Sequence, residues 1–154
     1  MIAIIDYDAG NLKSVEKALN YIGEEAIITR DRQQLLAADK VILPGVGNFG
    51  DAMNKLKYYQ LVDVIKEIAD KQIPLLGICL GMQLLFKRSD ECMEIEGLSL
   101  LNGEILRIPD SEGLKIPHMG WNSLSINSDK KLYKGIADGS YVYFVHSYYL
   151  KTEN

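Results

Sequence analysis

The stretch Gly77-Ile78-Cys79-Leu80-Gly81 constrains this chain more than any other. The apolar run Ile73 to Leu76 feeds into it, and a helix-like run, Leu80 to Phe86, leaves it. A buried strand that turns directly into a helix puts its corner residue in a strained, exposed conformation, and glycines two places either side let the backbones approach. The corner side chain then stands at the carboxyl end of a sheet, over the amino terminus of the next helix. Unpaired N–H groups and the helix dipole there favour a thiolate over a thiol. Cys79 is thereby placed to attack an acyl carbon, and the N–H of Leu80 points to where an oxyanion would form. Small cysteines in buried strands are commonly inert, so the remaining sequence has to decide between the two readings.

Short apolar strands alternate with amphipathic helices through the first half. Ile2 to Ile5 is wholly apolar and rich in β-branched residues, as a strand buried on both faces of a parallel sheet should be. Asn11 caps a predicted helix with Leu12, Val15, Leu19 and Ile22 on its apolar face, and Gly23 ends it. Ala26 to Thr29 reads as a second strand, Asp31 or Arg32 to Leu36 as a short helix, and Val41 to Leu43 as a third strand. Phe49, Ala52, Met53 and Leu56 share one helical face, and Leu61, Val64, Ile65 and Ile68 another, before a fourth strand over Ile73 to Ile78. This alternation predicts a doubly wound, largely parallel α/β sheet of the flavodoxin-like kind, since parallel neighbours need crossover helices. After Phe86 the pattern changes. Strand-like stretches near Ile105, Leu106 and Ile108, over Asn122 to Ile126 and over Tyr141 to Val145, with polar turns such as Asn127 to Lys131, predict a mixed or antiparallel extension.

At 154 residues and 47% apolar content, one domain spanning 1–154 is the expectation. A formal net charge of −4, with Lys and Arg scattered, argues against nucleic acid as a partner. No run is long enough to span a membrane, and Asp6 interrupts the apolar start Ile2 to Ile5, so a reducing cytoplasmic setting is expected. Two cysteines and two histidines lack the spacing of a metal site, so neither metal nor cofactor is expected.

Ligands of such sheets bind beyond the carboxyl ends of the strands, where both Cys79 and Pro44-Gly45-Val46-Gly47 fall. The two glycines permit a backbone that binds an anion or supplies a second N–H to an oxyanion, or form a plain turn. Gln83, one helical turn after Cys79, either holds a polar substrate in the same cleft or lies on the solvated surface. A cysteine hydrolase needs a base. His118 lies in a loop-like segment typical of an interface or a packing corner, and His146 ends a strand where a structural, hydrogen-bonded role is the commoner one.

Taken together, these segments resemble the class I, triad-type glutamine amidotransferases, and within them the branch that forms the glutaminase subunit of imidazole glycerol phosphate synthase. The resemblance is carried by Asp6-Tyr7 with Gly10-Asn11-Leu12, Pro44 to Gly47 with Phe49 and Ala52-Met53, Gly77 to Phe86, Pro117 to Asn122 and Tyr143 to Tyr148. It implies that Cys79 forms a thioester with L-glutamine. Ammonia then passes to a βα-barrel cyclase subunit, which releases imidazole glycerol phosphate and the purine precursor AICAR. By the family pattern Gly47, Gln83, Ser147 and Tyr148 hold glutamine, Val46 and Leu80 supply oxyanion N–H groups, and Asn11, Trp121 and Tyr143 face the barrel.

Two departures stand out. Asp8 occupies a place that is usually glycine in the opening turn. The family's base histidine and its glutamate lie in a later Phe-His-Pro-Glu-type segment that does not occur before Asn154, and His146 matches the Tyr143-to-Tyr148 histidine instead. The chain alone is therefore expected to be inactive or nearly so, as a C-terminally incomplete glutaminase or, alternatively, a degenerate one that binds and regulates a partner. An unrelated cysteine hydrolase is the third reading.

Overall fold

The computed structural model describes residues 1–126 and 131–152, and the chain divides into two compact units, Met1–Leu106 with Leu150–Asn154, and Arg107–Tyr149. The first unit is built on a four-stranded sheet of order β2-β1-β3-β4, with β1 Ile2–Ile5, β2 Ala26–Thr29, β3 Lys40–Leu43 and β4 Leu75–Gly77. Every pairing in it is parallel. All four residues of β1 are buried, as a strand with neighbours on both sides and helices against it requires.

The crossover helices follow the apolar spacing. In α3, Phe49–Tyr58, residues Phe49, Ala52, Met53 and Leu56 are buried, and in α4, Leu61–Asp70, so are Leu61, Val64, Ile65 and Ile68. Capping is built from the predicted residue types: Asn11 accepts from Ser14 N ahead of α1, Leu12–Tyr21, and Asp31 accepts from Gln34 N ahead of α2, Arg32–Ala37. Asn48 caps α3 through Gly50 N and Asp51 N. Each such cap is worth about 1 kcal/mol. Helix α1 differs from its siblings, because no residue of it is fully buried and Ile22, its C-cap, is exposed beyond the last turn.

The predicted helix over Leu80 to Phe86 is shorter in the structure. Helix α5 covers Leu80–Gln83, and Phe86 opens strand β5, Phe86–Ser89. The returning segment is the cause: Leu98 N bonds Leu84 O at 2.8 Å, and Leu100 and Leu101 N bond Leu85 O at 2.8 and 3.1 Å. Those carbonyls would otherwise carry the helix forward. Strand β5 runs parallel to β6, Leu101–Arg107, in a three-stranded sheet of order β5-β6-β9, where β9 is Tyr148–Lys151.

In the second unit β7, His118–Ser123, pairs antiparallel with β8, Tyr141–His146. The expected strand over Asn122 to Ile126 thus begins at His118, and the segment read as loop-like around His118 is the strand itself. Lys131–Tyr133 forms a 3-10 turn, and the rest of the predicted turn Asn127 to Lys131 lies outside the described residues.

Candidate active site

Cys79 occupies the corner between β4 and α5 with φ 54° and ψ −118°, and it is an exposed free cysteine. A non-glycine residue held there stores roughly 1–3 kcal/mol of strain, which persists because the flanks over-determine it. Ile78 N bonds Leu43 O at 3.0 Å on one side. On the other, Gly81 N bonds Ile78 O at 2.9 Å, and Met82 and Gln83 N bond the Cys79 carbonyl at 3.0 and 3.2 Å. The Leu80 N–H heads the helix, where helical geometry provides no acceptor. Both flanking glycines are obligatory: a Cβ on Gly81 would sit 1.9 Å from Leu43 O, and one on Gly77 would sit 2.5 Å from Met82 Cα.

Strand β3 lies beside β4 with Leu43 opposite Gly77, so Pro44 to Gly47 leaves the sheet at the same edge as Cys79. Gly45 is packed against the elbow, since a Cβ there would meet Gly81 N at 2.6 Å, the Tyr7 hydroxyl at 2.8 Å and Leu80 Cβ at 3.0 Å. Beyond Gly45 the segment emerges: Val46 is 57% exposed, and Gly47 is exposed with φ +95°. The structure therefore brings Cys79, Leu80, Gln83, Val46 and Gly47 to one edge of one unit. Gln83 is half-buried on α5.

The remaining expected residues divide between the units. Asn11 is exposed in the first unit, its side chain engaged in capping α1. In the second unit Ser147 is half-buried, and its carbonyl accepts from Ile108 N at 2.9 Å. Tyr148 is half-buried, and its carbonyl lies 2.9 Å from His146 Nδ1. His146 must donate that bond, and its Nε2 shares a hydrogen bond with His118 Nδ1 at 3.0 Å, accepting it when the His146 ring is neutral. Each histidine thus has a structural partner, in keeping with the hydrogen-bonded role expected of His146. Trp121 and Tyr143 are cross-strand neighbours with rings 5.6 Å apart at 81°, and are 68% and 53% exposed. Met119, opposite Val145, shares their face, and both are exposed.

The interactions of two residues, Tyr7 and Asp8, went unread in the sequence. Tyr7 is fully buried, and its hydroxyl donates to Pro44 O at 2.7 Å. Burial, and behind it the charge of Cys79, push its pKa up, so it stays a donor. Asp8 has φ 57°, a left-handed conformation in which glycine is at ease and Asp is among the tolerated residues. Its carboxylate accepts from Arg30 at 2.7 Å and from the Tyr59 hydroxyl, with Arg30 4.0 Å over the Tyr59 ring. The Tyr59 bond first, then Arg30, hold the Asp8 carboxyl below its ordinary range. An aspartate at a glycine position was the available signal. Among the described residues no group of three or more His, Cys, Asp or Glu side chains could hold a metal ion, and no helix is long and apolar enough to cross a membrane.

An elbow cysteine beside a glycine-rich strand end defines a class of acyl-transferring enzymes, and comparison with known proteins identifies which. A family profile described as glutamine amidotransferase class-I matches residues 3–154, and the chain belongs to that family. Within it the likeness is to the HisH type. The chain is 57% identical over 149 residues to imidazole glycerol phosphate synthase subunit HisH of Bacillus cereus, a match covering 97% of this chain and 70% of that protein. It is 54% identical over 156 residues to the same subunit of Bacillus mycoides, covering 100% and 73%. A solved glutamine amidotransferase shares the fold at a TM-score of 0.75 and 18% identity, covering 98% of this chain and 74% of the other. Another, from Thermotoga maritima, does so at 0.64 and 22%, covering 98% and 62%.

Proposed function

We propose that the chain forms the nucleophile-bearing part of the glutaminase of imidazole glycerol phosphate synthase. Cys79 attacks the side-chain amide carbon of L-glutamine, ammonia leaves, and a glutamyl thioester remains to be hydrolysed to glutamate. The ammonia passes to the βα-barrel cyclase subunit, in a cytoplasmic heterodimer. Val46 and Leu80 N–H groups meet the oxyanion, Gly47, Gln83, Ser147 and Tyr148 hold glutamine, and Asn11, Trp121 and Tyr143 face the cyclase. The observation that carries this reading is Cys79 exposed at φ 54° beside the Gly45-to-Gly47 strand end. The span 1–154 is read as belonging to one glutamine amidotransferase domain.

We infer also that residues 1–154 alone turn glutamine over orders of magnitude more slowly than a complete triad enzyme, since both histidines have structural partners. The test is ammonia release with the cyclase subunit present, for this chain and for a version carrying the C-terminal part of the Bacillus cereus relative. The longer version is expected to hydrolyse glutamine, losing activity on Cys79→Ser, with residues 1–154 far slower. Cyclase binding without hydrolysis by either version would favour a regulatory binding module, for which the exposed Trp121–Tyr143 face is the motivating observation.

A further inference from the structure

Pro44 and Gly45 are buried, but beyond Gly45 the segment has little of its own to hold it. The β3–β4 pairing ends where Ile78 N bonds Leu43 O at 3.0 Å, and the next anchors in the chain are Asn48, whose carbonyl accepts from Ala52 N at 3.0 Å, and Phe49 N, which bonds Glu91 Oε2 at 2.7 Å. Pro44 has no N–H to offer, Gly45 and Gly47 have no side chains, and the Val46 side chain is 57% exposed. The peptides beyond Gly45, where Val46 and Gly47 are exposed, can take several orientations, only some of which aim an N–H at a developing oxyanion. Against this, Tyr7 stands fully buried with its hydroxyl donating to Pro44 O at 2.7 Å and directly over Gly45.

We propose that Tyr7 is a positioning residue for acyl transfer: its buried hydroxyl fixes the Pro44 carbonyl and, packed with Gly81 and Leu80 against Gly45, holds the start of the Gly45–Val46 peptide whose N–H is presented to the oxyanion. The inference rests on the reading of Cys79 as the nucleophile. Tyr7 does not serve as a base, because its proton is engaged with a carbonyl and its environment resists ionisation. The role is thus felt only in steps that build negative charge on oxygen.

Two reagents separate that role from any effect on the sulfur. With p-nitrophenyl acetate, the Cys79 thiolate bonds to the acetyl carbon through an oxyanionic tetrahedral intermediate. The C–O bond then breaks, nitrophenolate leaves with the electron pair, and acetyl-Cys79 remains. With iodoacetamide, sulfur displaces iodide and no oxyanion forms. Rates at Cys79 are read by mass spectrometry of its peptide, with Cys92 as internal reference. Removing an oxyanion donor outright costs roughly 10²–10³-fold, and one mis-aimed should cost about tenfold. Tyr7→Phe is therefore expected to slow acetylation of Cys79 about tenfold and leave its alkylation unchanged. Equal rates with both reagents, or equal slowing of both, overturns the inference while leaving the nucleophile assignment intact. Unmodified Cys79 reacting no faster than Cys92 with either reagent overturns the nucleophile assignment, and the inference with it. If Tyr7→Phe does not fold, hydroxyl exchange in the unaltered chain decides, read by NMR as the deuterium isotope shift at Tyr7 Cζ: slow exchange supports the bond to Pro44, fast exchange refutes it.

Discussion

Strands β1 and β3 and the β7–β8 hairpin use apolar residues in opposite ways. Strand β1 buries Ile2, Ala3, Ile4 and Ile5 to 6% exposure or less, and β3 buries Val41, Ile42 and Leu43 likewise. The hairpin turns Met119, Trp121, Tyr143 and Val145 outward, each more than half exposed. In the first case apolar area stabilises the chain itself, at about 25 cal/mol per Å² removed from water, and that stability holds a strained cysteine in place. In the second, a contiguous aromatic and aliphatic face contributes little to its own unit and suits a partner. One region buries its apolar residues within its own unit, and the other leaves them exposed.

The largest expected effect tests the buried region. Gly81→Ala places a methyl on the Leu43 carbonyl and should cost about 3–5 kcal/mol by thermal or urea unfolding. Gly113→Ala, in open space at φ +80°, should cost only about 1 kcal/mol. Similar values for the two would erase the contrast. Trp121→Ala tests the exposed face: its own unfolding should move by less than about 1 kcal/mol, while affinity for the cyclase subunit should fall by about 2 kcal/mol or more in a titration. The reverse order would make the face structural.

Cys79→Gly sharpens the claim that strain is stored at the elbow. It should raise stability by about 1 kcal/mol while removing the reactive thiol. The smallest effect concerns pH. The Asp8 carboxyl is held below its ordinary range, so its contribution is whole above about pH 4 and is lost as pH falls through the lowered folded value. The melting-temperature difference between the native chain and Asp8→Asn should therefore shrink only below about pH 4.

The first half of the chain was legible because its strands are uniformly apolar and its helices are spaced and capped by local rules: Ala26 to Thr29 and the α3 and α4 faces all stand where the spacing puts them. What failed was set at a distance. Helix α5 stops at Gln83 because residues 98–101 take up the carbonyls of Leu84 and Leu85, and no local pattern announces that. The strand at His118 was hidden by Pro117 just before it and Gly120 within it, which read as loop residues until β8 pairs with His118–Ser123. At the site, glycine spacing located the elbow and the facing strand end. Tyr7 entered only as part of the Asp6-Tyr7 segment and without a role, because its significance is a hydrogen bond 37 positions away.

The most direct measurement is labelling of Cys79 by a glutamine-shaped chloroketone, in which a chloromethyl ketone replaces the side-chain amide. Labelling should fall on Cys79 rather than Cys92, run faster than with a chloroketone lacking the amino-acid end, and be slowed by L-glutamine. Equal labelling of the two cysteines, or indifference to glutamine, would contradict a glutamine-directed nucleophile at this bend.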